Sequence, residues 1–360
     1  MEPTTLGRIA SYYYLSHETV RDFEDSLAMD TSISGLLEVL VNATEYEQLP
    51  VRHNEDLINA DLAKLCPIDV ADKMAIESPH TKAHLLFQAH FSRIQLPMSD
   101  YYTDLKSVLD QAIRILQAMI DIAAESGWLA TTLQLQNLLQ MIVQGKWVNQ
   151  PSLLCLPHVE VNTLHAFAKA PKPIESIPEL VAFVKGKYET LASLLRSEMD
   201  ESEIEDVFGV LQKLPLLSVE LSLCEDATDD DNKEKQQGAP SIRIDTKDGQ
   251  KWIKVKPDTD YTLNIKVRRN RYPERTQGDS IKAYAPYFPK PKDEGWFMVL
   301  GTVDNGELVA LKRVATLRGT SNQQINFTTP EESQRMIMTL YIMSDSYIGL
   351  DQQYDLRLDF

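Results

Sequence analysis

Cysteine is scarce in this sequence and poorly placed for chemistry. Only Cys66, Cys155 and Cys224 occur in 360 residues, far apart, odd in number and without metal-ligand spacing. A disulfide framework is excluded, and the usage suits a reducing compartment, nucleus or cytosol. No apolar run reaches the roughly 18 residues of a bilayer-crossing helix. The first residues also lack the basic-then-apolar order of a secretory signal, so membrane and signal-peptide readings fail. The phosphate-cradling G-x-x-x-x-G-K-[ST] is missing. Gln144-Gly145-Lys146-Trp147 keeps its Gly-Lys pair but neither the first glycine nor the hydroxyl. G-x-S-x-G, H-E-x-x-H and G-x-G-x-x-G are absent too, so no catalytic centre and no bound cofactor are expected in this chain.

Basic residues are also under-represented, 36 against 53 acidic, giving a formal charge of −17 that argues against a general nucleic-acid binder. The excess is uneven. Residues 1–150 carry 20 acidic and 10 basic side chains, whereas 241–290 carries 12 basic and 6 acidic. At 43% hydrophobic and 25% charged residues, the chain has enough apolar side chains for real cores, and the length allows two or three domains.

The first 150 residues read as a helical bundle. Helices are predicted from Leu6 to Leu15, Ser34 to Tyr46, Glu55 to Leu65, after Ser78-Pro79, Tyr101 to Ser126 and Leu129 to Trp147. The 101–126 helix is the clearest, with Leu105, Val108, Leu109, Ala112, Ile113, Leu116, Met119, Ile120 and Ala123 at three- and four-residue steps and Gly127 as terminator. Residues 151–215, punctuated by Pro151, Pro157, Pro171, Pro173 and Pro178, read as a small helix–loop–helix of short segments such as Val159–Ala168, Pro178–Lys187 and Ile204–Lys213, in need of docking on the bundle. From about 216 the period changes to two. Val219, Leu221 and Leu223 alternate with polar residues, as do Tyr261, Leu263, Ile265 and Val267, and Asp304-Asn305-Gly306-Glu307 marks a hairpin. Further strands are expected at Gln324–Phe327, Met336–Ile342 and Gln353–Leu358, with a polar, disordered loop over Glu225–Ser241. The fold class is therefore multidomain α+β: an all-α bundle (1–150), a helix–loop–helix (151–215) and an immunoglobulin or fibronectin type III-like sandwich of about seven strands over 216–360.

Three groups of side chains are candidates for chemistry. Opposite the apolar stripe of 101–126, Lys106, Asp110, Arg114, Gln117 and Asp121 form one polar ridge. It is either a solvated face with an Asp110–Arg114 pair or a surface offering Arg114 and Gln117 to a nucleic-acid strand, with Lys106 and Arg52 as further contacts. In the basic stretch, Lys266, Arg268, Arg269 and Arg271, with Tyr272 and Arg275 nearby, form either a phosphate or acidic-protein footprint or the charged protection of a sheet edge. His80 and His84 share a helix face with Glu77 close by, but His90 sits roughly opposite and no third metal ligand is evident, so ordinary hydrogen bonding of these imidazoles is expected.

Several runs resemble the Sec-sixty-three homology unit of tandem-cassette, superfamily two helicases. They are Leu6-Gly7-Arg8-Ile9-Ala10-Ser11-Tyr12-Tyr13-Tyr14-Leu15, Glu45 to Asp56, Pro79 to His90, Glu294-Gly295-Trp296-Phe297 and Met343 to Asp355. The resemblance covers nearly the whole chain and implies the same order of bundle, helix–loop–helix and immunoglobulin-like domain. It likens 101–126 to the "ratchet" helix that crosses the strand channel, with Arg114 at a matching position and Gln117 where the catalytic cassette of a spliceosomal relative has an arginine. It further implies a non-catalytic accessory unit of an ATP-dependent 3′→5′ helicase acting in alkylation repair, transcription coactivation and rescue of stalled ribosomes. ATP and magnesium would be held by motor domains outside this chain. The implied partners are the preceding RecA-like and winged-helix domains, other subunits of a transcription cointegrator complex and, weakly, single-stranded DNA or RNA, with no membrane. The alternative is a purely protein-interacting scaffold.

Overall fold

Serine and threonine side chains open most of the early helices. Thr4, Ser16, Ser32 and Ser78 accept hydrogen bonds from first-turn amides of α1 (Thr5–Tyr13), α2 (His17–Ser26), α3 (Ile33–Val41) and α5 (Pro79–Ser92). Between the last two lies α4 (Glu55–Ala63), and α6 (Ser99–Glu125) and α7 (Leu129–Gln144) follow. The computed structural model describes residues 4–70, 76–226, 242–244, 251–270, 281–331 and 335–360. Arg271, Tyr272, Arg275 and most of the acidic loop lie outside the described residues. Among these seven helices the unforeseen one is α2, in which only Thr19, Val20 and Phe23 are buried, too thin a pattern to show a period. The segment expected as one helix to Tyr46 stops at Val41 and resumes as a 3-10 turn at Thr44–Tyr46.

Two helices form the heart of the first compact unit, which comprises residues 1–165 together with 282–292 and 345–349. Along α5, Thr81 to Phe91 is continuously buried, so this helix is enclosed on every side even though it carries Lys82, His84, Gln88 and His90. Along α6, Ile115, Ala118 and Ile122 are buried beyond the expected stripe because α1, α2, α3, α5 and α7 all pack against it. The late segments join through backbone carbonyls: Gln144 Nε2 donates to Tyr284 O at 3.1 Å and Ser346 O at 2.6 Å, and the Tyr284 amide donates to the Tyr347 hydroxyl at 2.9 Å.

The second unit comprises 166–281, 293–344 and 350–360. After α8 (Leu164–Ala168) it holds α9 (Ile177–Val184), α10 (Tyr188–Leu195) and α11 (Glu201–Lys213), the last started by an Asp200/Glu203 capping box. The described strands are β1 (Leu217–Glu225), β2 (Ile242–Ile244), β3 (Ile253–Lys254), β4 (Asp260–Arg269), β5 (Trp296–Thr302), β6 (Glu307–Val314), β7 (Thr320–Thr328), β8 (Met336–Ser344) and β9 (Gln352–Asp359). They form an antiparallel sheet ordered β2-β1-β4-β7 and a five-stranded sheet ordered β3-β9-β8-β5-β6, in which only the β3–β9 pair is parallel. The hairpin forms at Asp304-Asn305-Gly306, with Gly306 at φ +65°. β2 and β3, at three and two residues, are too short for alternation to reveal. The architecture is mixed α+β, with eleven α-helices and two sheets among the described residues.

Gly349 sits at φ +86°, where a Cβ would lie 2.6 Å from Ser152 Cβ. Gly349→Ala is expected to cost roughly 2–4 kcal/mol through strain and overlap. Gly209 in α11 has open space around it, so Gly209→Ala should stabilise by roughly 0.5–1 kcal/mol. Chemical denaturation of the two variants checks both signs.

Candidate nucleic-acid interface

The N-terminal half of α6 is fastened from beneath by charges. Lys82, fully buried on α5, places Nζ 2.6 Å from Glu55 Oε2, 2.7 Å from Asp104 Oδ2 and 2.7 Å from Pro50 O. Its ammonium also lies 4.6 Å from the centroid of the Tyr101 ring. Arg52 closes the cluster, 2.9 Å from Glu55 Oε1, 2.7 Å from Asp104 Oδ2 and 3.4 Å from Asp100 Oδ2. Burial raises the carboxyl pKa values of Glu55 and Asp104, but hydrogen bonds from Lys82 and Arg52 outweigh it, and both end below the usual range. Arg52, a sequence candidate for nucleic-acid contact, is thus held by three carboxylates. Sequence reasoning missed Lys82, Glu55 and Asp104. Two signals were there: Lys82 is the one lysine or arginine in a helix buried on every side, and Asp104 falls four residues before Val108 on the inward phase of α6.

The polar ridge is real but divided. At one end, Tyr102, Lys106 and Asp110 are exposed at four-residue steps, with Tyr102 at 46% of its full accessibility. Asp110, expected to pair with Arg114, instead meets Lys290 Nζ at 2.6 Å. Farther along, Arg114 Nη1 donates to the carbonyls of Tyr13 (3.0 Å) and Tyr14 (2.7 Å), and its Nε to Gln111 Oε1 at 2.9 Å. The guanidinium therefore neutralises the carbonyl end of α1, whose cap residue Tyr14 adopts a left-handed φ of +52°. Asp121 accepts from the Tyr13 hydroxyl at 2.6 Å, and Gln117 is half-buried. Tyr102 is the exposed aromatic that the sequence reading passed over.

The basic footprint on β4 is not one surface. Lys266 and Arg268 face outward, and Lys266 Nζ lies 3.1 Å from Glu220. Arg269 shares the inward parity of Val267 and Ile265. It is buried in a two-pronged pair with Glu294 and donates through Nη2 to Lys213 O at 2.8 Å. The edge-protection reading is corrected as well: β4 pairs with β1 on one side and β7 on the other, so it is an interior strand. The histidines make ordinary bonds. His80 Nδ1 lies 2.7 Å from Val41 O, His84 Nδ1 2.9 Å from Gln88 Nε2 and His90 Nε2 2.8 Å from Ile142 O. Burial lowers the His90 pKa to about 4, leaving a neutral ring that donates to the carbonyl. No group of three or more His, Cys, Asp or Glu among the described residues is placed to hold a metal. No helix there is long and apolar enough to cross a membrane.

With this geometry in place, the comparisons with known proteins decide the family. The model of the Sec63 Brl domain matches residues 3–357. This chain belongs to the Sec63 Brl domain family. The chain is 47% identical to activating signal cointegrator 1 complex subunit 3 of Gallus gallus over all of its length. It is 38% identical to the DExH-box ATP-dependent RNA helicase DExH14 of Arabidopsis thaliana, and 32% identical to the U5 small nuclear ribonucleoprotein 200 kDa helicase of Homo sapiens, each over 99% of its length. It spans only 17%, 15% and 15% of those proteins, respectively. The likeness carried by the Leu6–Leu15, Pro79–His90 and Met343–Asp355 runs is thereby borne out for this Sec63 Brl chain.

Removing one member of the buried cluster strands its partners. Lys82→Met is expected to destabilise by about 3–5 kcal/mol, and adding Asp104→Leu should recover part of that loss. Additive losses in denaturant melts would contradict the coupling. Because Glu55 and Asp104 titrate lower folded than unfolded, their contribution is complete above the ordinary carboxylate range. It fades as the pH falls through that range toward the lower folded values. Acid titration of stability should show this decline in the wild type and a shallower one in the Lys82→Met, Asp104→Leu double variant.

Proposed function

We propose that this chain is the non-catalytic accessory unit of an ATP-dependent 3′→5′ helicase and guides a single strand along α6. The observation that carries the reading is the form of α6: a 27-residue helix packed by five others, with one polar ridge emerging and its Tyr102–Lys106–Asp110 end exposed. An exposed ring one turn from a lysine is the combination that single strands are bound by, stacking on the ring and phosphate on the cation. In this reading Tyr102 and Lys106 touch the strand, while Arg114 and Arg52 act through what they hold: Arg114 the end of α1, Arg52 the charge cluster. Gln117 lies beside Arg114 and lends little charge to strand gripping. The names of the relatives, two of them helicases, support a motor supplied from elsewhere in the parent protein. RecA-like and winged-helix domains would hold ATP and magnesium there. Location in nucleus and cytosol, roles in alkylation repair, coactivation and ribosome rescue, and contact with other cointegrator subunits belong to the same proposal. So do an immunoglobulin-like character for the two sheets and an outward Lys266/Arg268 patch facing an acidic partner.

The test uses the intact parent helicase. Tyr102→Ala and Lys106→Ala should each weaken single-strand binding about fivefold or more and lower unwinding, with folding unchanged. The Lys106→Ala variant should also show a smaller salt dependence. Arg114→Ala should lower unwinding and loosen α1, at a cost of roughly 1–3 kcal/mol in stability, without unfolding the bundle. Unchanged strand crosslinking and unwinding in Tyr102→Ala and Lys106→Ala would leave the scaffold reading in possession.

A further inference from the structure

Within the first unit, a cleft of about 510 Å³ opens where the C-terminal end of α5 meets residues 146–161 and the 284–287 segment. Two cations reach it. Lys146, only 1% exposed, donates from Nζ to Gln150 O at 2.7 Å and Trp147 O at 3.2 Å. Arg93 donates to Gly145 O and Leu154 O, each at 3.0 Å, and lies 4.1 Å from the centroid of the Tyr287 ring. Every partner these two make is a neutral carbonyl or a ring, and among the described residues no carboxylate pairs with either. That contrasts with Lys82, Arg52 and Arg269, each of which is matched by buried carboxylates. A buried ammonium served only by carbonyls is costly unless an anion completes it, and burial here pulls the Lys146 pKa down. The rest of the lining is mixed: Phe91, Leu156, Pro157 and Pro286 are apolar, Ser92, Gln150, His158 and Glu160 are polar, and Tyr287 and Val161 are exposed at the mouth.

We propose that this cleft binds a short acidic peptide segment of a partner protein. One carboxylate of the segment meets Lys146 and Arg93, and an adjoining apolar side chain lies against Pro157 and Pro286. Lys146 and Arg93 outnumber the single lining carboxylate, Glu160, so charge complementarity favours an anionic occupant, and the apolar part of the wall favours a peptide over a small inorganic anion, which would leave it unused. The site does not depend on strand guidance by α6.

The test measures fluorescence anisotropy of a labelled eight-residue peptide, alternating Asp and Glu around one Phe, with the whole chain. Binding should weaken at least tenfold in Lys146→Gln, and tenfold or more for the same peptide with Asn and Gln in place of its acids. Because Arg93 and Lys146 also hold local carbonyls, Val161→Asp provides a fold-neutral check: at 72% exposure it leaves packing intact and sets a like charge at the mouth. It should weaken binding severalfold, with an unchanged melting temperature. Equal binding by wild type, Lys146→Gln and Val161→Asp overturns the proposal. So do equal binding of the neutral peptide, displacement by inorganic phosphate as effective as by unlabelled peptide, and no binding at all.

Discussion

Buried charge must be matched, and that constraint sets the arrangement of both units. In the first, the Lys82 ammonium can lie inside the protein only because Glu55, Asp104 and the Pro50 carbonyl surround it. The 50–55 segment and α6, far apart in the chain, therefore converge on one nitrogen of α5. Asp104 fixes the rotation of α6, and the outward phase of Lys106 and Asp110 follows from it. In the second unit the Arg269–Glu294 pair does the same for β4, the turn before β5 and the end of α11.

Several arginines of this acidic chain are committed to structural work. Arg52 belongs to the charge cluster, Arg114 holds the end of α1, Arg269 lies inside the second unit, and Arg93 braces Gly145 and Leu154. Under the proposed function, a strand-contacting face would rest on few residues, the exposed end of α6 above all. This suits a unit that steers a strand gripped elsewhere, since few phosphate contacts give weak, salt-sensitive affinity. A chain at −17 also repels nucleic acid at long range, so under the proposed function such contact would depend on a motor that delivers the strand.

Lys146 in the cleft of the first unit departs from this pattern of matched charge. Where every other deeply placed cation described above has carboxylates within the chain, Lys146 has only carbonyls. Strand guidance and peptide capture would thus use separate surfaces of one unit, the exposed ridge of α6 and the far end of α5.

Periodicity along the chain determined most of the secondary structure. The 3.6-residue pattern of α6, the alternation in β1 and β4 and the Asp304-Asn305-Gly306 turn are local properties that each segment carries alone. Alternation even fixed the inward parity of Arg269, for its neighbours at 263, 265 and 267 are all apolar. Tertiary structure alone decided what each charge does. Whether an arginine faces water, a carboxylate or a helix end depends on partners such as Asp104, 52 residues from Arg52, or Tyr13, 101 residues from Arg114. It likewise drew 282–292 and 345–349 into the helical unit, because the carbonyls of Tyr284 and Ser346 find their donor on α7. Segment patterns are set by near neighbours, whereas the pairing of buried polar groups is settled only when distant segments meet.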